Sequence, residues 1–109
     1  MKESELERIL VEEVRKEGGR AYKWVSPGND GVPDRIVFFP GGEVYFVELK
    51  TETGKISPKQ DVQLRILARL DQNAMVVRGI RGLIEFFRLT GRGHVANTLT
   101  NRYGGGDAE

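Results

Sequence analysis

Leu6, Ile9, Leu10 and Val14 repeat at helical spacing until Gly18-Gly19, which predicts an amphipathic helix over residues 3–17. Ala21 to Val25 reads as a short strand, ended by Ser26-Pro27-Gly28-Asn29-Asp30-Gly31-Val32-Pro33, a loop rich in turn residues. Arg35 to Phe39 and Val44 to Lys50 are dense in β-branched and aromatic residues and flank Pro40-Gly41-Gly42-Glu43, the pattern of a β-hairpin. Ser57-Pro58 provides an N-cap followed by proline in the first helical position. From there Val62, Leu64, Ile66, Leu67 and Leu70 carry a helix through Asp71. Ala74 to Arg78 is a further strand, and Leu83 to Leu89 a final short helix. The order is helix, three strands, helix, strand, helix. A hairpin needs antiparallel neighbours and a strand-helix-strand step needs a parallel crossover, so the expected fold is α/β, a mixed sheet flanked by helices. Residues 1–91 are expected to form the domain and residues 92–109 a flexible C-terminal tail.

With 109 residues, 39% hydrophobic and 30% charged, the chain has the composition of one globular domain, too short for separate catalytic and recognition domains. It has no cysteine, which excludes disulfides and thiolate metal sites and leaves oxygen donors as the ligands to expect. The acidic start, Met1-Lys2-Glu3-Ser4-Glu5, lacks a secretory apolar stretch, and no apolar run reaches membrane length. A cytoplasmic location without membrane association is therefore expected. The net charge of +1 does not mark a nucleic-acid-coating protein. Its distribution is uneven: residues 78–102 carry Arg78, Arg81, Arg88, Arg92 and Arg102 against Glu85 alone. That stretch suits a phosphate backbone or, equally, a solvated surface.

The most informative chemistry is Pro33-Asp34 followed by Glu48-Leu49-Lys50. Two carboxylates can hold a divalent cation against a phosphate, and a lysine two residues along a strand shares the face of the second carboxylate. This combination suggests a metal-dependent nuclease. It also sets a condition on the hairpin. A two-residue loop, Gly41-Gly42, would pair Pro40 with Glu43 and put Asp34 opposite Leu49, on the wrong face from Glu48. A three-residue loop, Gly41 to Glu43, would pair Pro40 with Val44 and put Asp34 opposite Lys50, one diagonal from Glu48. A shared metal requires the second register or a bulge giving the same shift. The alternative is that Pro33-Asp34 merely opens a strand while Glu48 and Lys50 form a surface ion-pair ladder.

Together with these doublets, Lys23-Trp24-Val25-Ser26-Pro27-Gly28, Gly31-Val32-Pro33-Asp34-Arg35-Ile36, Phe46-Val47-Glu48-Leu49-Lys50 and Gly54-Lys55-Ile56-Ser57-Pro58-Lys59-Gln60 resemble the VRR-NUC domain. This virus-type replication and repair nuclease is a branch of the PD-(D/E)xK superfamily, and the resemblance covers residues 3–89. It implies a restriction-endonuclease-like fold, dependence on Mg²⁺ or Mn²⁺, cleavage of branched DNA such as four-way (Holliday) junctions, and a homodimer. Stand-alone members of this size are similar to phage and prophage nucleases. Asp34 would be the central metal ligand and Glu48 its partner, with the Leu49 carbonyl a third oxygen, while Lys50 would orient or activate water. The family places a further glutamate on the first helix. Glu7, beside the apolar stripe, is the expected residue, with Glu3 the rival and Glu5 and Glu12 facing solvent. Gln60 matches the Ser-x-x-Gln pattern and would hold the metal shell or a phosphate, with Ser57 as a cap.

Lys23, Ser26, Arg35 and Lys55 are the candidate DNA contacts; Lys23 reads equally as an exposed strand lysine, and Arg35 and Lys55 are the weaker candidates, since a single basic side chain near such a motif is more often surface than contact. His94 lies outside the recognisable domain and is expected in the tail. Trp24, Phe38, Phe39, Phe46, Phe86 and Phe87 are read mostly as core and not as stacking platforms. Other readings remain: a less selective nickase or flap-type nuclease with the same residues, or a catalytically inactive DNA-binding or assembly module.

Overall fold

The computed structural model describes residues 1–104. Its elements are α1 (Glu3–Lys16), β1 (Arg20–Lys23), β2 (Arg35–Phe39), β3 (Glu43–Lys50), α2 (Pro58–Arg69), β4 (Ala74–Arg78), α3 (Gly79–Leu89) and α4 (Gly93–Tyr103). The four strands lie in the order β1-β2-β3-β4, antiparallel except for the β3–β4 pair, so the sheet is mixed and flanked by helices as expected.

Alternation along the strands divides the sheet into two unequal faces. Ala21, Val37, Phe39, Val47, Leu49 and Val77 point to one face and form a single buried core with Leu6, Ile9, Leu10 and Val14 of α1, most of the apolar side of α3, and α4. Helix α2 packs against β4, and its buried Leu67 lies outside that core. Glu48 and Lys50 alternate with Val47 and Leu49, so they face away from the main core.

The hairpin adopts neither register considered above. Phe39 pairs with Glu43 and Arg35 with Val47, leaving Pro40-Gly41-Gly42 as the loop. Proline cannot donate to a ladder bond, and Gly41 and Gly42 take φ of +91° and +85°, so the reversal falls on these three residues. One step beyond Arg35–Val47, this register sets Asp34 directly opposite Glu48. The shared-face condition is met by opposition and not by a diagonal.

The C-terminal segment also differs from the expected tail at residue 92. Residues 93–103 form a helix that buries Val95, Ala96 and Leu99 against α3. Arg92 fastens the junction: its guanidinium carbon lies 3.4 Å from the centre of the Phe39 ring and its Nη1 donates to Glu43 Oε1 at 3.1 Å. The expected tail over residues 105–109 lies outside the described residues. Helix α3 begins at Gly79, four residues before Leu83, because Ile80 is also drawn into the core.

Candidate active site

Asp34 and Glu48 converge where β2 begins. The Leu49 N–H points toward β2 beyond that strand's first residue, where no ladder partner remains, and the Asp34 carboxylate takes its place: Oδ2 accepts from Leu49 N at 2.9 Å. Trp24 N donates to the Asp34 carbonyl at 2.9 Å, so the residue is held from both neighbouring strands.

Glu48 is 2% exposed. Its Oε2 accepts from Gln60 Nε2 at 2.9 Å and lies 3.7 Å from Lys50 Nζ. Its Oε1 is buried with no hydrogen-bond partner among the described residues. Such an oxygen costs free energy unless something satisfies it. Burial pushes the Glu48 carboxyl up to about 7, and the Asp34 carboxylate adds to the rise while Lys50 opposes it; the charge of Glu3 contributes in the same direction as Asp34.

Gln60 owes its orientation to the start of α2. Ser57 Oγ accepts from Gln60 N at 3.1 Å while Gln60 Oε1 accepts from Ser57 N at 2.9 Å, a reciprocal capping box. With the amide oxygen engaged there, the NH₂ end is left to face Glu48. One residue thus terminates a helix and fixes a carboxylate.

The α1 glutamates divide differently from the expectation. Glu7 Oε2 accepts from Arg35 Nε at 2.9 Å and Nη2 at 2.8 Å, and lies 3.7 Å from Lys23 Nζ. Arg35 is only 17% exposed and also donates to the Ala21 carbonyl. Glu7 and Arg35 therefore neutralise each other across the α1–β2 junction, which leaves Glu7 turned from the carboxylate pair and Arg35 committed within the fold. Glu3, one turn earlier, is the α1 carboxylate whose field reaches Glu48. Lys23 and Lys55 are exposed, and Ser26 Oγ accepts from Asn29 Nδ2 at 3.0 Å within its own loop. The structure does not bring these three to the pair.

Nor do the C-terminal arginines form an open track. Arg88 pairs with Glu85, Arg92 with Glu43 and Arg102 with the buried Glu13, while Arg78 donates to the Gly54 carbonyl. His94 sits on α4 against Glu17, 2.9 Å away.

The donor set suits a hard cation. Among the described residues no three acidic, histidine or cysteine side chains cluster at metal-binding spacing. Mg²⁺ nevertheless needs only one or two carboxylates, because it retains water and binds substrate phosphate. Asp34 opposite the unsatisfied Glu48 Oε1 meets that requirement.

The model of the VRR-NUC domain matches residues 1–80, a span that contains all of these groups. This chain belongs to the VRR-NUC family. “Putative nuclease p44” of Acyrthosiphon pisum secondary endosymbiont phage 1 is similar to it, 53% identical over 70 residues covering 64% of this chain and 72% of that protein. A solved structure described as a VRR_NUC domain shares the fold, with a TM-score of 0.67 and 24% identity over 93% of this chain and 96% of its own. Helix α4 falls wholly after the residues matched to the VRR-NUC model, yet it completes the core.

Proposed function

We propose that this protein is a metal-dependent endodeoxyribonuclease that hydrolyses phosphodiester bonds in branched DNA. The observation that carries the reading is the buried Glu48 carboxylate with an unsatisfied oxygen, set against Asp34 and beside Lys50. Membership of a nuclease family and the likeness to a protein named as a nuclease support the same activity.

Asp34 and Glu48 would hold Mg²⁺ or Mn²⁺, with the Leu49 carbonyl a further donor and Glu3 contributing negative charge at the margin. Bound there, the ion supplies charge neutralisation at the scissile phosphate and lowers the pKa of an attacking water. The residues themselves do the rest. Gln60 fixes the Glu48 rotamer, and the Leu49 N–H holds one Asp34 oxygen. Lys50 is 15% exposed, so its ammonium is close enough to solvent to meet a phosphate oxygen or a water and desolvated enough to act strongly on it.

Branched substrate and homodimer are the finer parts of the proposal. One small domain has little surface for reading a base sequence, whereas two copies related by a two-fold axis present paired sites to a near-symmetric junction. Purified protein incubated with Mg²⁺ or Mn²⁺ and a labelled four-way junction, a flap, a nicked duplex and a linear duplex tests both levels. Cleavage of the junction in paired, symmetric cuts that Asp34→Asn abolishes is expected. Equal cutting of all substrates would remove the junction preference and leave a general nuclease. Binding without any cleavage would remove the enzyme.

A further inference from the structure

The face of the sheet that carries the carboxylate pair changes chemistry along the strands, and cross-strand pairing sets its rows. Lys50 and Arg78 lie side by side in one row. Asp34, Glu48 and Val76 fill the next, and because Trp24 N donates to the Asp34 carbonyl, Trp24 extends that row past the end of β1. Tyr22, Ile36, Phe46 and Ala74 form the third row, and Arg20, Phe38 and Val44 the fourth. The face thus passes from cations to carboxylates to aromatic rings.

The aromatic part is contiguous. Trp24 and Phe46 have ring centres 5.3 Å apart, and Tyr22 and Phe38 6.0 Å apart. Tyr22 is 58% exposed and Phe38 39%, while Trp24 and Phe46 are half-buried. Rows repeat about every 6.7 Å along a strand and strands lie about 4.8 Å apart. On that spacing Trp24 stands about 5 Å from Asp34 across the sheet, and Tyr22 and Phe46 about 7 to 8 Å from the pair, about the reach of one nucleotide.

We propose that Trp24, with Tyr22 and Phe46 beside it, stacks an unpaired base of the DNA strand whose phosphate lies over Asp34 and Glu48. The inference rests on the nuclease reading above and gives it a physical reason to prefer branched DNA. A base within a duplex must be unpaired and unstacked before it can reach the rings, whereas one at a flap, a gap or the crossing of a junction is more readily freed.

Charge agrees. Arg20 is the one charged residue in the two aromatic rows, and its Nη1 already donates to the Gly19 carbonyl. A duplex backbone would need several free cations there, whereas a base needs only a ring face. Cations stand instead on the opposite side of the pair, where Lys50 neighbours Arg78, an exposed residue whose Nε donates to the Gly54 carbonyl at 3.2 Å. Phosphate and base therefore find matching chemistry on either side of the carboxylates. Aromatic residues presented on an open sheet are a general means of holding unpaired bases.

Trp24 is the chain's only tryptophan, so its fluorescence reports on this position alone. Wild-type protein is titrated at low salt, with chelator and again with Mg²⁺, against a single-stranded thymidine decamer, the same decamer lacking bases, and a blunt duplex. The strand with bases should quench the emission, and the other two should not. By anisotropy of a labelled decamer, Trp24→Leu should bind about 5- to 100-fold more weakly, and Trp24→Phe should recover most of the loss. Circular dichroism checks that each variant is folded. If Trp24→Leu does not fold, Tyr22→Leu decides, with a loss of about 5-fold expected and an unchanged affinity overturning the proposal.

Equal quenching by the strand without bases overturns it. So does the absence of quenching up to about 100 μM under both conditions, the weak limit of non-specific binding. Emission that changes on concentrating the protein, and not on adding DNA, would give the face to a protein partner and likewise overturn it. Cleavage assays separate the two readings. A protein that cuts branched DNA yet ignores the bases loses the stacking and keeps the nuclease; one quenched by unpaired DNA that cuts nothing keeps the stacking and loses the nuclease.

Discussion

Replacing Glu48 with glutamine should stabilise the metal-free protein while removing its response to metal. The Glu48 carboxyl sits at about 7 in the fold against an ordinary 4.5, chiefly through burial and next through Asp34. Because the folded state holds this proton more tightly than the unfolded chain, the associated stability is complete below pH 4.5. It is lost as pH rises toward 7, and the loss is then constant. At about 1.4 kcal/mol per tenfold change, ionising Glu48 in the native state costs about 3 kcal/mol, a large share of the 5–15 kcal/mol that holds a typical domain. The replacement amide would still accept from Gln60, and its NH₂ group would occupy the place of the unsatisfied Oε1 and donate toward Asp34. Urea unfolding with chelator present should therefore give equal midpoints for wild type and Glu48→Gln at pH 4.5. At pH 8 the variant should be more stable by up to about 3 kcal/mol. Mn²⁺ should raise the wild-type midpoint at pH 8 and leave the variant unmoved. Equal stability at both pH values, or an equal Mn²⁺ response, would refute the account of Glu48 as a buried, strained carboxylate awaiting a cation.

Four further outcomes follow from the same geometry. Gln60→Ala removes both the reciprocal cap and the hold on Glu48, so unfolding should show a loss of about 1 kcal/mol and cleavage assays a fall of about 10- to 100-fold. Asp34→Asn keeps an acceptor for the Leu49 N–H but loses the charge; it should retain the wild-type melting temperature, abolish cutting and lower the Glu48 carboxyl, followed by NMR titration. In calorimetry Glu3→Gln should weaken Mn²⁺ binding, whereas Glu7→Gln should chiefly lower the melting temperature by leaving Arg35 without its partner. Truncation after Gly91 should cost at least about 3 kcal/mol through exposure of the core that Val95 and Leu99 cover, read by thermal unfolding.

The parts of the fold visible in the chain are those written as local periodicity. Leu6, Ile9, Leu10 and Val14 repeat every three or four residues, and all four are buried. In β3, Val47 and Leu49 enter the core on either side of Glu48, which places Glu48 and Lys50 on the opposite face. What was not visible depends on contacts distant in sequence. The hairpin register was fixed by three loop residues whose division between strand and turn the composition left open. In α4, Val95, Leu99 and Tyr103 do stand at helical spacing, but Gly93, Asn97, Thr98 and Thr100 favour helix weakly, so packing on α3 decides the outcome. The choice between Glu3 and Glu7 was hidden for a similar reason. Both lie on one side of α1, and only the arrival of Arg35 from 28 residues away takes Glu7 out of reach of the pair.

The residues around the carboxylate pair each hold a piece of backbone as well, and this explains how two like charges can be kept together. Like charges in a desolvated site repel, and a loosely held pair would relax by rotating apart or toward solvent. Asp34 does not turn away, because its Oδ2 stands in for the strand partner that Leu49 N–H lacks. Glu48 does not turn away, because the amide that binds it is locked into the first turn of α2. Rotating either carboxylate would break a structural hydrogen bond worth about 1 kcal/mol or more, in addition to moving a charge. The strain is thus retained by the fold, and the same interlocking implies that substitutions at Asp34 or Gln60 act on fold and chemistry together. Isosteric replacements such as Asp34→Asn separate the two; truncations to alanine do not.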